Sequence, residues 1–144
     1  MKLSLNDTSL DSDYQGFLDA KPFPILVTDN FLPRDFALSL SNEIENYEDF
    51  SKSNDYIFAK NKYENPHIEK LGKYGASLKN FLNSSEFMKF LSKLYQKDIF
   101  IDESFTGGGL HRGGKGSYLD MHVDFGLHPS KDSWQRELNL LLYL

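Results

Sequence analysis

A chain of 144 residues is long enough to form one domain with a core of its own, without disulfide or metal staples. Hydrophobic residues make up 40% and charged residues 26%, which is ordinary for a globular protein, and the aromatic share of 15% argues against disorder. The net charge of -5, with no Lys/Arg run longer than two residues, argues against a surface for nucleic acid or anionic membrane. The absence of cysteine excludes disulfides, thiolate metal sites and cysteine nucleophiles.

The N-terminal residues 1–17 contain one Lys followed by mainly acidic and polar residues. They lack the apolar run of a signal peptide, and the chain has no stretch of about 18 apolar residues that would predict a membrane span. We therefore predict a cytoplasmic protein whose partners are neither nucleic acids nor membranes. The sequence leaves open whether the chain forms an oligomer.

The first part of the chain has a mainly helical pattern. Residues 1–20 are polar and predict a flexible arm. Residues 22–28 predict a strand, because their prolines are confined to its entry. A helix is predicted to begin at Pro33, because apolar residues follow it on one face at a spacing of four: Phe36, Leu40 and Ile44.

Residues 47–66 show no sustained period and predict a loop, with a short strand at residues 56–59. Two further helices are predicted after it, and Ser84 or Ser85 is suited to cap the second of them. Their apolar stripes are Leu71, Tyr74, Leu78, Phe81 and Leu82 in the first helix, and Phe87, Phe90, Leu91 and Leu94 in the second.

The sequence becomes typical of β structure from residue 99 onward. Residues 107–116 hold six of the ten glycines, and the segments around them alternate or stay apolar for only a few residues. This pattern predicts strands at residues 99–105, 109–112, 117–123 and 136–144. Helices followed by strands indicate an α+β fold in which helices support a β-sandwich or barrel.

Two His-x-carboxylate pairs are present, His67/Glu69 and His122/Asp124. With four His and 21 acidic residues in the chain, such pairs are an ordinary coincidence, so the backbone must distinguish them. In a helix, residues two apart point about 200° apart, which separates His67 from Glu69 at a predicted helix start. In a strand they share a face about 6.6 Å apart, so His122 and Asp124 are suited to one metal ion. The alternative is a surface His beside a turn Asp.

Residues 107–125 and 134–144 resemble the prolyl-4-hydroxylase-like family of 2-oxoglutarate/Fe(II)-dependent dioxygenases. The family pattern is a Gly-rich segment, a hydrophobic residue, a metal-binding His-x-Asp, a variable loop, an Arg, and an apolar strand ending in Tyr-Leu-Asn, of which this sequence has the Tyr-Leu. The run from Pro22 to Leu32, followed by a helix, is also similar to the family's N-terminal entry. The resemblance implies a double-stranded β-helix (a cupin-like jelly roll) with N-terminal supporting helices, in a single domain spanning 1–144. Within it, residues 1–20 would be the arm, 21–98 the helical support and 99–144 the first jelly-roll strands.

The same resemblance implies the site residues. His122 and Asp124 would bind Fe(II), and Tyr143, Tyr118 and Leu141 would contact 2-oxoglutarate. Arg136 and His111 would face a small-molecule or peptidyl substrate, with O2 as the oxidant and ascorbate as a further candidate cofactor. The alternatives without a role in a site are a core aromatic for Tyr143, a solubilising charge for Arg136 and a solvent-facing ring for His111. We expect His128, in the variable loop next to Pro129, to be exposed.

The chain departs from the family pattern in two respects. Only His128 follows Asp124, where the family has a second iron-binding His several tens of residues later, and no basic residue follows Arg136 to pair with 2-oxoglutarate. We therefore expect an incomplete jelly roll, truncated at its C-terminus, that binds iron weakly and does not turn over. The rival interpretations are a non-catalytic cupin-like binding module and an inactive fragment.

Overall fold

The computed structural model describes residues 3–4, 14–52, 55 and 57–144, which form helices and small antiparallel sheets. The predicted α+β class is therefore confirmed. The chain divides into two units, one formed by residues 1–46 and 69–103 and the other by residues 47–68 and 104–144. Each unit is described by itself below. Among the described residues, no helix is long and apolar enough to cross a membrane.

The first unit is helical. Three helices agree with the predicted stripes, because their buried residues fall on one face of each helix. Ser84 caps α4, its side chain accepting a hydrogen bond from the backbone N–H of Phe87 at 3.2 Å. The helices of this unit are α1 (Tyr14–Asp19), α2 (Arg34–Glu45), α3 (Lys73–Leu82) and α4 (Ser85–Tyr95), with a 3-10 turn at Ile68–Lys70 at its border.

Aromatic rings occupy the centre of this helical core. Phe36 and Phe87 are each only 1% exposed, and the ring of Phe81 lies 5.0 Å from that of Phe87. Phe31 packs against both Phe81 and Phe87. Burying an aromatic side chain of this size removes about 150–250 Å² from water, so these rings supply much of the unit's stabilisation.

The N-terminus of α3 is held by a carboxylate from α2. Glu43 accepts hydrogen bonds from the backbone N–H groups of Tyr74 at 2.9 Å and Gly75 at 2.8 Å. These N–H groups have no partner within their own helix, and the positive end of the helix dipole favours an anion there. A side chain at Gly72, whose φ is 153°, would place its Cβ 2.5 Å from Glu43 Oε1. Gly72 is thus required for this close approach.

Two predictions for this unit are corrected. Residues 14–19 of the predicted arm form α1, because Phe17 is buried (5% exposed) and packs edge-on against Tyr95. The rest of the arm, apart from residues 3–4, lies outside the described residues. Residues 22–28 form no strand, and Phe23 and Val27 are 60% and 77% exposed. An alternating apolar pattern produces a strand only when a neighbouring strand pairs with it.

The second unit contains a three-stranded antiparallel sheet in the order β1–β2–β3 and a two-stranded hairpin, β4–β5. The long β2–β3 pairing joins Ala59 to Leu119 at one end and Asn65 to Leu110 at the other. The strands are β1 (Ser51–Lys52), β2 (Ala59–Asn65), β3 (Leu110–Leu119), β4 (Leu127–His128) and β5 (Lys131–Gln135).

A large bulge interrupts β3 opposite Asn61. The partner in β3 changes from Tyr118 for Lys60 to Gly113 for Lys62, so the residues between Gly113 and Tyr118 face a single β2 residue. Asn61 has a left-handed backbone (φ 55°), and its side-chain amide donates to the carbonyl of Lys115 at 3.0 Å. The glycines of this segment allow the chain to fold back on Asn61.

The strand predictions were only partly right. Residues 47–66, predicted as a loop with a short strand at 56–59, contain β1 and the seven-residue β2, which begins only at Ala59. Tyr56 lies outside the described residues, and residues 57 and 58 form a turn. The predicted strands at 109–112 and 117–123 merge into β3, which ends at Leu119, and β5 was not predicted. Residues 99–105 and 136–144 form no strand. The sheets of the described residues form no closed barrel, so the jelly roll is not confirmed.

Candidate metal-binding site

The segment that carries His122 and Asp124 is irregular, with a bend at Met121, and is anchored at both ends. At its start the backbone N–H of Asp120 donates to the carbonyl of Phe58 at 2.7 Å, directly after β3 ends. At its end the N–H of Arg136 donates to the carbonyl of Gly126 at 2.7 Å, beside the β4–β5 hairpin. The segment itself is not part of a sheet. Its position thus depends on the strands before and after it.

The imidazole of His122 is oriented by the backbone. Its Nδ1 lies 2.9 Å from the carbonyl oxygen of Asp120. Because a carbonyl only accepts, Nδ1 must carry the proton, and the neutral ring then has its lone pair on Nε2. A backbone carbonyl that fixes the tautomer in this way is a common feature of metal-binding histidines. His122 Nε2 is therefore suited to bind a cation.

Asp124 presents one carboxylate oxygen toward that nitrogen. The distance from His122 Nε2 to Asp124 Oδ1 is 3.4 Å. The other oxygen, Oδ2, receives the guanidinium of Arg136 at 2.7 Å and the side-chain amide of Asn139 at 3.3 Å. The two oxygens thus have different partners. The side chains of His122 and Asp124 do lie close together, although the backbone bends at Met121 and the two residues are not in a strand as predicted.

The separation of these two atoms fits two neighbouring ligands of one ion. Donor atoms about 2.1 Å from a divalent cation, at an angle of about 90–110°, lie about 3.0–3.4 Å apart. Imidazole nitrogen and carboxylate oxygen are suitable ligands for iron and similar metals. Within the described part of the chain, no group of three or more His, Cys, Asp or Glu residues is arranged to hold a metal. The site thus offers two protein ligands.

His111 lies on β3 close enough to Asp124 to sense its charge. Burial, followed by the nearby Lys62 ammonium, lowers the pKa of His111 below its ordinary value of 6.5, against the opposing effects of Glu64 and Asp124. Its Nδ1 is 4.0 Å from Glu64 Oε2. A ring of low pKa beside the metal pair is compatible with the predicted substrate contact, which stays a prediction.

Arg136 is predicted to face the substrate, and the structure shows where its guanidinium lies. Besides its ion pair with Asp124, the guanidinium carbon is 4.1 Å from the centre of the Phe125 ring. A Cβ added at Gly107, whose φ is 70°, would lie 2.7 Å from a Phe125 ring carbon and 3.4 Å from Arg136 Nη2. The Gly-rich turn therefore packs directly against the Phe125–Arg136 stack.

The three residues predicted to contact 2-oxoglutarate lie on β3 and in the segment after β5. The Tyr118 hydroxyl donates to the carbonyl of Ile57 at 3.1 Å, which ties β3 to the segment before β2. Leu141 is 65% exposed and Tyr143 is 86% exposed, both in the irregular segment after β5. Their contacts with 2-oxoglutarate stay predictions.

The expected exposure of His128 is wrong. His128 is 8% exposed, and its ring lies edge-on to Trp134 at 5.5 Å between centroids. Its Nδ1 accepts from the N–H of Ser130 at 3.1 Å, so Nε2 carries the proton and donates to the Thr106 hydroxyl at 3.1 Å. The ring of His128, in β4, is therefore buried against Trp134 of β5. His67, by contrast, is exposed.

Sequence reasoning missed two residues of this site. Asp120 orients His122 through its carbonyl, and its side chain accepts the backbone N–H of Met121 at 3.1 Å. Asn139 reaches Asp124 from fifteen residues away. The available signal for Asp120 was its position two residues before His122, which brings its carbonyl within reach of the imidazole. No local pattern marked Asn139.

Searches against protein-family models, curated proteins and solved structures find no match to this chain.

Proposed function

We propose that this chain carries the His-x-Asp metal-binding half of a 2-oxoglutarate/Fe(II)-dependent oxygenase of the prolyl-4-hydroxylase-like type, with a jelly-roll catalytic fold. The observation that carries the proposal is the 3.4 Å separation of His122 Nε2 and Asp124 Oδ1, with the other ring nitrogen of His122 engaged by a carbonyl. The reaction class is hydroxylation of an unactivated C–H bond of a peptidyl proline or a small metabolite. It is coupled to decarboxylation of 2-oxoglutarate to succinate.

The chain's own residues have defined tasks in this proposal. His122 Nε2 and Asp124 Oδ1 would hold the ion. Asp120 keeps the Nε2 lone pair of His122 available by holding the proton on Nδ1. Bound iron would supply the redox chemistry that these side chains lack, with O2 as oxidant. An open coordination sphere is what distinguishes a catalytic metal site from a closed structural one.

The rival function is a cupin-like binding module in which His122 and Asp124 form only a local pair. The test is thermal unfolding of the purified chain with and without Co(II) or anaerobic Fe(II). A ligand at 100 times its Kd stabilises the native state by about 2.7 kcal/mol. We expect this stabilisation in the wild type and its loss in His122→Ala.

The chain contains its own matched control. His67 belongs to the similarly spelled pair His67/Glu69 and is exposed, so His67→Ala should leave metal stabilisation intact. Equal stabilisation of wild type and His122→Ala would refute the metal site. Adding 2-oxoglutarate to the anaerobic Fe(II) form then separates an oxygenase from a plain metal-binding module. The oxygenase should develop the visible charge-transfer absorption of a chelated 2-oxoacid, and the module should not.

A further inference from the structure

The carboxylate of Asp124 is held by partners that leave only one of its oxygens for a metal. Oδ2 receives Arg136 Nη1 at 2.7 Å and Asn139 Nδ2 at 3.3 Å, while Oδ1 lies 3.4 Å from His122 Nε2. A carboxylate without such partners rotates freely and binds a cation through one oxygen or both. Charge-assisted hydrogen bonds to one oxygen remove that freedom.

The guanidinium of Arg136 is itself fixed. It stacks on the Phe125 ring at 4.1 Å, and its side chain is only 23% exposed although the neighbouring Asp124 side chain is 40% exposed. Gly107 closes the other side, since any Cβ there would meet both Phe125 and Arg136 Nη2. A long cationic side chain packed in this way loses little further entropy when it pairs with the carboxylate.

We propose that Arg136, assisted by Asn139, is a positioning residue that makes Asp124 a one-oxygen metal ligand aligned with His122. This role rests on the metal site proposed above, and the substrate contact predicted for Arg136 stays a prediction. The arrangement is a metal ligand oriented by a second layer of hydrogen bonds, whose removal commonly costs about 10–100-fold in metal affinity.

Replacing Arg136 should change the metal affinity in opposite directions, depending on whether Arg136 acts through its charge or by positioning Asp124. Arg136 carries a positive charge close to the site, and it repels a divalent cation. If charge alone mattered, replacing Arg136 with a neutral residue would tighten metal binding. If Arg136 positions Asp124, the same replacement weakens binding, because Asp124 Oδ1 is no longer held toward His122. The sign of the change therefore decides between the two effects.

The experiment measures the Kd of Co(II) by calorimetry for the purified chain and its Arg136→Met, Arg136→Lys and Asn139→Ala variants. Arg112→Met is the matched control, because Arg112 stacks on Phe50 at 4.2 Å in the same unit. We expect Arg136→Met to weaken binding by about 10–100-fold, Asn139→Ala to weaken it less, and Arg112→Met to leave it unchanged. Arg136→Lys, which restores a cationic donor, should recover part of the affinity.

The visible absorption of bound Co(II) provides a second readout that loss of fold stability does not move. With Oδ2 released, Asp124 is free to bind through both oxygens, which raises the coordination number and weakens the absorption. Arg136→Met should show this change, and Arg112→Met should not. Far-UV circular dichroism checks that each variant is folded, and Arg136→Lys provides a milder variant if Arg136→Met is not.

Three outcomes for Arg136→Met overturn the positioning role while leaving the metal site intact. The variant binds Co(II) as well as Arg112→Met does, it binds Co(II) more tightly than the wild type does, or its bound Co(II) keeps the wild-type absorption spectrum. Wild-type binding that does not depend on His122 would overturn the metal site and the positioning role together. Weaker binding with a changed spectrum in Arg136→Met, partly rescued in Arg136→Lys, supports the proposal.

Discussion

Removing the Glu43 carboxylate should measurably destabilise the helical unit. Glu43 accepts from the backbone N–H of Tyr74, at 2.9 Å and 3.1 Å to its two oxygens, and from that of Gly75 at 2.8 Å. Loss of a side chain that caps a helix N-terminus costs about 0.5–2 kcal/mol, and hydrogen bonds to charged acceptors lie at the upper end of the scale. For Glu43→Ala we therefore expect a loss of about 1–2 kcal/mol, because two N–H groups of α3 lose their partner.

For a chain of this size, a loss of about 1–2 kcal/mol in the free energy of unfolding lowers the Tm by roughly 3–8 °C. Glu43→Gln keeps one acceptor but loses the charge, so it should fall about halfway between wild type and Glu43→Ala. Urea unfolding followed by circular dichroism measures the change. Glu45→Ala is the control, since Glu45 is exposed at the end of the same helix. Equal urea midpoints for Glu43→Ala and Glu45→Ala would show that the carboxylate contributes nothing to this helix end.

Three other outcomes are expected. Phe87→Ala should cost about 3–5 kcal/mol in urea unfolding, because its ring is 1% exposed and leaves a cavity; a loss below 1 kcal/mol would contradict the packing. Asn65→Ala should cost about 1–3 kcal/mol, since Asn65 is 7% exposed and bonds the Tyr47 hydroxyl, the Asp49 carbonyl and the His67 N–H. The pKa of His111 is lowered, so the unfolded chain takes up its proton first and stability falls as the pH drops through 6.5. An NMR titration of His111 with a midpoint at or above 6.5 would contradict this, and His111→Gln should flatten that part of the pH profile.

The helices were predictable because their signals are local. Apolar residues at a spacing of three or four define a buried helix face. α2 begins at Arg34, one residue after the predicted start, and Ser84 caps α4 as predicted, whereas α3 begins only at Lys73, after the start predicted near His67. The strands were less predictable, because a strand exists only where another strand pairs with it. The strongly apolar residues 136–144 form none, whereas β2, with little apolar pattern, pairs with β3 across a sequence separation of 45 to 60 residues.

The sequence by itself determined the central pair of the candidate site. His122 and Asp124 are only two positions apart in the chain, and their side chains meet although the segment joins no sheet. Only the tertiary structure decided what surrounds that pair. Arg136 and Asn139 reach Asp124 because the β4–β5 hairpin folds the chain back between them, and the same turn buries His128. Such contacts depend on where the loop closes, and no local spacing of residue types encodes it.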